Sequence, residues 1–201
     1  MLLNAKNICF RYGKGSWVLK GFNIQLKSGE VVGLSGTSGC GKTSLSRILA
    51  GYMSPYEGRV TLDGEPLPRK GFSPVQLVFQ HPEKSINPRW QMYKTLNEGW
   101  SPDSKLLESL GIEESWFERW PNELSGGELQ RFCVARALSP DTKFLIADEM
   151  TTMLDAITQA QIWKVVLDTA KRSNMGVLVV SHEEHLINRL CDRVVEMDTS
   201  L

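Results

Sequence analysis

The chain has 201 residues, 41% of them hydrophobic, with 23 lysines and arginines balanced by 23 aspartates and glutamates. That length and apolar content are enough to bury a sizeable core, in one domain or a domain with a smaller lobe, and they exclude a disordered tail. The balanced charge lacks the broad basic footprint of a nucleic-acid binder. No apolar run approaches the ~18 residues of a membrane helix, and Met1 to Phe10 does not read as a signal peptide, so a cytoplasmic, soluble chain is expected.

The first sixty residues predict half-buried, antiparallel strands. "ICFRY" is one short run, and Phe22, Ile24 and Leu26 alternate with Asn23 and Gln25. "GRVTLDG" alternates again before a turn at Asp63-Gly64. "EVVGLS" (30–35), "KFLIAD" (143–148) and "GVLVVS" (176–181) are different, because they are nearly continuous apolar runs. Such runs fit strands buried on both faces of a parallel sheet. Helical stretches follow each: "KTSLSRILAG" with Gly51 as its C-cap, "ITQAQIWKVVLDTAKR" and "EEHLINRLCD". That alternation predicts an α/β core with right-handed crossovers. A further strand is expected at "RVVEM".

Between Gln80 and Leu124, Pro82, Pro88, Pro102 and Pro121 interrupt short helical patterns such as "DSKLLESLGI", which predicts an inserted helical lobe. It holds Trp90, Trp100, Trp116 and Trp120, either as the core of a small lobe or as a docking surface. Cys9, Cys40, Cys133 and Cys191 show no CxxC spacing, which argues against a zinc site and a disulfide scaffold.

"GTSGCGKT" fits G-x-x-x-x-G-K-[ST] and lies between an apolar strand and a helix, the context its mechanism requires. Gly36, Thr37, Ser38, Gly39, Cys40 and Gly41 let the backbone curl, so that N–H groups face phosphate oxygens at a helix start. Lys42 then reaches the β- and γ-phosphates, the Thr43 hydroxyl is placed to ligate Mg²⁺, and Ser44 adds a second hydroxyl. The Lys-Thr pair has no purpose in an ordinary glycine turn, so the chain is expected to bind a nucleoside triphosphate. Cys40, inside the loop, is expected to make binding sensitive to thiol alkylation.

Hydrolysis also needs a carboxylate in the metal shell and a group that positions or deprotonates water. Asp148 and Glu149 end a buried strand on the edge where the phosphate loop lies; Asp148 suits the metal and Glu149 the general base. His182 ends "VLVVSH" on the same edge and suits a γ-phosphate sensor that also holds the attacking water. His182 and His185 have the spacing of a helical metal pair, but no further ligand stands at a usable distance along the chain.

A second glycine turn, "LSGGELQR" at Leu124 to Arg131, resembles the signature of the ATP-binding cassette (ABC) ATPases, and the other motifs fall in that family's order. The resemblance spans nearly the whole chain. It implies a P-loop α/β ATPase domain with a parallel-sheet core, an antiparallel β subdomain and an inserted helical subdomain. Residues 1–80 and 124–201 are then the catalytic core with the β subdomain, and about 81–135 the helical subdomain with the signature, in one domain over 1–201.

The resemblance further implies that Tyr12 stacks on adenine. Gln80 is then the Q-loop glutamine that links Mg²⁺ and the attacking water to the lobe, "TMLD" ending in Asp155 the D-loop, and His182 the switch histidine. Two such subunits, alike or different, pair head to tail. The signature turn, Ser125, Gly126, Gly127 and Glu128, then meets the γ-phosphate of the ATP held by the partner, using a hydroxyl and backbone N–H groups.

"FQHPEKSINPRW", "PNELSGGELQR" and "LDAITQAQIW" resemble the ATPase subunits of peptide, nickel and metallophore importers. That branch implies ATP and Mg²⁺ as ligands, permease subunits as partners, and a place on the cytoplasmic face of the membrane. An extracytoplasmic solute-binding protein is implied as an indirect partner, and no nucleic acid. An exporter-type subunit, a soluble ABC-type ATPase and a non-hydrolysing regulatory subunit are the competing readings. Met150 and Met153 depart from the family's usual proline and alanine, and Glu128 from its commoner glutamine. The stretch from Pro82 to Glu123 is short for this branch, and no C-terminal regulatory domain is expected.

Overall fold

The computed structural model describes residues 1–68 and 70–197. An antiparallel sheet has the order β2-β1-β4-β5, built from β1 (Leu2–Phe10), β2 (Leu19–Lys27), β4 (Glu57–Leu62) and β5 (Glu65–Pro66). The expected "ICFRY" strand therefore begins earlier, at Leu2, and stops before Arg11. In β1 the buried residues are Leu3 and Ala5, then Ile8 and Phe10, so the inward phase slips between them. A register shift absorbs that slip where Asn7 adopts a φ of 53°. Asp63 and Gly64 both have positive φ, 50° and 90°, which suits the tight turn joining β4 to β5.

The second sheet is parallel among the strands paired, in the order β6-β7-β8-β3-β9. It contains β3 (Val31–Gly36), β6 (Val75–Val78), β7 (Phe144–Asp148), β8 (Gly176–Val180) and β9 (Arg193–Met197). Its near-continuous apolar strands divide between two cores. Phe144, Ile146, Leu178 and Val180 face the antiparallel sheet and α1 (Lys42–Leu49), whereas Leu145, Ala147, Val177 and Val179 face α4 (Gly126–Ala137) and α5 (Ala156–Ser173). Strands β7 and β8 thus bury both faces, as their uninterrupted runs predicted, whereas the edge strand β9 is largely exposed.

Helix α1 has its C-cap at Ala50, and Gly51 is the residue beyond it in the left-handed region, φ 79°. The inserted helices α2 (Met92–Leu96) and α3 (Ser104–Ser109) are short, and α6 (Glu184–Leu190) follows β8. The lobe tryptophans separate by role. Trp116 is buried near Phe132, and Trp100 donates to the Arg136 carbonyl at 2.9 Å. Trp90 lies under Lys94, and Trp120 is exposed.

Candidate nucleotide site

Strands β3, β8, β7 and β6 are neighbours, and the chain after each delivers one part of the site. These parts are the phosphate loop, His182, Asp148 with Glu149, and Gln80. Ligands of open α/β sheets gather at this edge of the strand C-termini.

In the phosphate loop, Gly36 has a φ of 151° and a side chain there would meet Cys40 Sγ and the Met197 carbonyl at 2.8 Å. Gly41 opens α1 in the left-handed conformation, φ 107°. The Lys42 ammonium, on a buried side chain, donates to the carbonyls of Gly36 at 2.7 Å and Thr37 at 3.0 Å. Cys40 Sγ stands 3.9 Å from it, and Thr37, Ser38 and Gly39 are exposed at the loop tip. Ser44 is buried instead, with its hydroxyl 2.9 Å from the Tyr12 hydroxyl. Tyr12 leans edge-on against Phe10, with centroids 5.0 Å apart, and leaves its ring exposed.

At the end of β7, Asp148 is buried, and Thr43 Oγ1 donates to its Oδ1 at 3.4 Å. Burial pushes the Asp148 carboxyl above its ordinary value, the Thr43 hydrogen bond opposes this, and the Glu149 charge adds to it. A buried carboxylate beside a hydroxyl is a hard-oxygen donor pair, so Thr43 and Asp148 fit Mg²⁺. Among the described residues no group of three or more His, Cys, Asp or Glu is placed to hold a metal. The His182–His185 pair therefore gains no further ligand, and a cation at Thr43 and Asp148 would rely on phosphate and water oxygens.

Glu149 is a non-glycine residue in the left-handed region, φ 49°, pinned by its N–H to the Val180 carbonyl at 2.9 Å. Gln80 Nε2 donates to its Oε2 at 3.0 Å, and His182 Nδ1 lies 3.3 Å from its Oε1. Two of the residues expected to serve catalysis, Gln80 and His182, thus converge on the carboxylate of the third. Met150 is buried in the helix-side core, and Met153 is exposed. The turn after Glu149 is tied by hydrogen bonds: Thr152 Oγ1 donates to the Glu149 carbonyl at 3.0 Å, and Gln159 and Trp163 donate to Thr151 Oγ1 at 3.1 and 3.0 Å.

The signature turn is built as a helix start. Ser125 caps α4 by accepting from Glu128 N–H at 3.3 Å, and Glu128 accepts from Ser125 N–H at 2.6 Å, a reciprocal capping box. Glu128 is therefore committed to its own helix. No hydrogen bond joins this turn to residues 36–44 among the described residues, and the N–H groups of Gly126 and Gly127 have no partner there. A side chain at Gly126 would meet nothing within 4 Å. Asp155 likewise serves as a cap, accepting from Ile157 and Thr158 N–H at 3.0 Å, bonds that hold its carboxyl below the ordinary value.

Sequence reasoning missed two features. Arg11 lies against Trp17 and Tyr56 beside Tyr12, 4.7 and 5.4 Å from their ring centroids, and the only local signal is the aromatic residues flanking that loop. Gln130 donates to the Phe79 carbonyl at 3.1 Å, a pairing with no local signal.

A glycine loop at the junction of β3 and α1, with a buried aspartate and a glutamate at the end of β7 in the same sheet, defines a P-loop nucleoside triphosphatase. The family model described as ABC transporter matches residues 19–152. The nickel import ATP-binding proteins NikE of Escherichia coli (strain K12) and Shigella dysenteriae serotype 1 are each 34% identical to this chain over 224 aligned residues, covering 98% of it and 84% of each relative. Among solved structures, cbiO1 from Clostridium perfringens, part of the ABC transporter complex cbiONQ, is 25% identical with a TM-score of 0.75, over 98% of this chain and 84% of that one. The ATP-binding cassette MJ0796, a dimer in a post-hydrolysis state bound to ADP and Pi, shares the fold with a TM-score of 0.79 at 23% identity, over 98% and 94%. The chain belongs to the ABC transporter family, as an ATP-binding ATPase subunit.

Proposed function

We propose that residues 1–201 work as one ATPase domain, with about 81–135 as its helical lobe, and that two such subunits close head to tail around two ATP molecules. Tyr12 carries the adenine, and the N–H groups of Gly36 to Gly41 with Lys42 hold the phosphates. Ser125, Gly126 and Gly127 of one subunit complete the site on the other. Glu149 accepts the proton of the attacking water, which Gln80 and His182 orient. Thr43, Asp148 and Gln80 are the residues to hold Mg²⁺, whose charge would offset that developing on the β- and γ-phosphates. Loss of the γ-phosphate removes the bridge and lets the subunits part.

The observation that carries hydrolysis is the convergence of Gln80 and His182 on the Glu149 carboxylate, at 3.0 and 3.3 Å. No helix among the described residues is long and apolar enough to cross a membrane, so transport requires permease subunits, with this chain on their cytoplasmic face. A groove of about 880 Å³, lined by Tyr52, Phe72, Phe79, Ser85, Glu98 and Arg136, adjoins Gln80 and suits a permease helix. The likeness to nickel import proteins supports import, with a nickel ion, metal chelate or peptide as cargo delivered by a solute-binding protein. Purification of the tagged chain from membranes should yield permease subunits and vanadate-sensitive ATPase activity. A chain recovered alone, under conditions that keep such complexes intact, would count against the transporter role.

A further inference from the structure

Gln130 stands in the second turn of α4, five residues beyond the Ser125 cap, and is 1% exposed. Its neighbours Leu129, Phe132, Cys133 and Val134 all belong to the helix-side core. Nε2 donates to the Phe79 carbonyl at 3.1 Å, whereas Oε1 has no hydrogen-bond partner. Burying an unpaired amide oxygen is unfavourable, and a leucine would fill similar space without that cost. The amide is therefore accounted for by its donor, not by packing.

Phe79 lies between the end of β6 and Gln80, so the Gln130 bond fixes the peptide from which the Gln80 side chain departs. Gln80 in turn holds Glu149 Oε2 at 3.0 Å. The next residue of α4, Arg131, bonds to other elements: it donates to Gln161 Oε1 at 3.0 Å, to Thr158 Oγ1 at 3.3 Å, and to the Leu110 carbonyl. Thr158 and Gln161 belong to α5, the helix capped by Asp155. The signature helix is thus bonded both to the segment that precedes Gln80 and to α5.

We propose that Gln130 is a positioning residue for ATP hydrolysis, tying the signature helix to the Q-loop so that engagement of Ser125 to Gly127 sets where Gln80 stands against Glu149. This rests on the catalytic roles proposed for Gln80 and Glu149. The link runs through bonded neighbours: α4, Gln130, the Phe79 peptide, Gln80 and the Glu149 carboxylate. Docking of the turn on a partner's ATP moves α4 and draws the Phe79 peptide with it.

The test is a double-mutant cycle on ATPase activity in the purified transporter complex, comparing Gln130→Leu, Gln80→Ala and their combination, with Glu149→Gln as the reference. Gln130→Leu should lower kcat about five- to tenfold with KM within about twofold, and add less than about twofold to the Gln80→Ala loss. An unchanged kcat, or losses that multiply fully, would overturn the proposal. If the leucine variant does not assemble, Gln130→Glu is read instead, because a protonated carboxyl still donates to the Phe79 carbonyl. Its kcat relative to the parent should then rise as pH falls from about 8 to about 6, and a flat ratio overturns the proposal. Full activity of both Gln80→Ala and Glu149→Gln would defeat the catalytic reading itself, and this inference with it.

Discussion

The chain has two glycine turns at helix starts, and its own packing demands Gly36 in the first but not Gly126 in the second. In the phosphate loop, Gly36 is required locally: its φ of 151° and the nearby Cys40 sulfur and Met197 carbonyl leave no room for a side chain. In the signature turn, Gly126 has open space around it, and its N–H and that of Gly127 have no partner among the described residues, although Ser125 and Glu128 cap each other. The proposed docking of a partner's ATP gives a reason for a glycine that its own fold does not demand. In the proposed dimer the first turn is the half of a site that grips, and the second is the half that waits for another molecule.

The sharpest way to separate the two halves is to remove chemistry from one and docking from the other. Glu149→Gln should lower ATP turnover by roughly 10²- to 10⁴-fold while ATP binding persists, and the dimer should accumulate closed on gel filtration with MgATP. Turnover that stays near the parent value would reassign the general base. Lys42→Ala should instead abolish nucleotide binding by the isolated subunit, measured by calorimetry or a fluorescent ATP analogue, because the loop loses its cationic donor.

Gly126→Asp should leave ATP binding by the isolated subunit within about twofold and eliminate ATP-dependent dimerisation, since it sets a carboxylate where a phosphate is to dock. If monomer binding is lost instead, the contrast between the two turns collapses. Alkylation of Cys40, whose sulfur lies 3.9 Å from the Lys42 ammonium, should weaken nucleotide binding, and bound ATP should slow the labelling. Unaltered affinity after complete Cys40 modification would show that the loop tolerates bulk there.

The smallest effect concerns Asp155, which makes its helix cap within its own chain. Its folded carboxyl value is lowered by the Thr158 and Ile157 N–H groups, so the stability it adds is complete above the unfolded value and is lost as pH falls through the lowered folded one. Asp155→Ala should reduce the urea midpoint at neutral pH, and the difference from the parent should shrink as pH drops below about 4. A difference that does not change with pH would mean that the carboxylate charge contributes nothing to the cap.

What could be read from the sequence depended on how local the signal was. The phosphate loop, the acidic end of β7 and His182 stand at fixed offsets from apolar strands, so their convergence on one edge followed from the parallel topology. The start of β1 escaped because Asn7 shifts the inward phase from Leu3 and Ala5 to Ile8 and Phe10, which breaks the alternation that marks a strand. Asp155 and Glu128 were expected at the nucleotide, and their carboxylates are occupied as caps, a fact of backbone geometry that residue type alone does not reveal. The bond from Gln130 to Phe79 spans 51 residues and leaves no trace in either segment.

The left-handed backbone at Glu149 sets stability against chemistry at a single residue. A side chain larger than glycine held at a φ of 49° costs about 1 kcal/mol, and the cost is lowest for glycine and for asparagine. Replacing Glu149 by asparagine should therefore raise the thermal midpoint while silencing hydrolysis, making the inactive protein the sturdier one. In the proposed mechanism the strain at Glu149 is therefore offset only by the chemistry of its carboxylate.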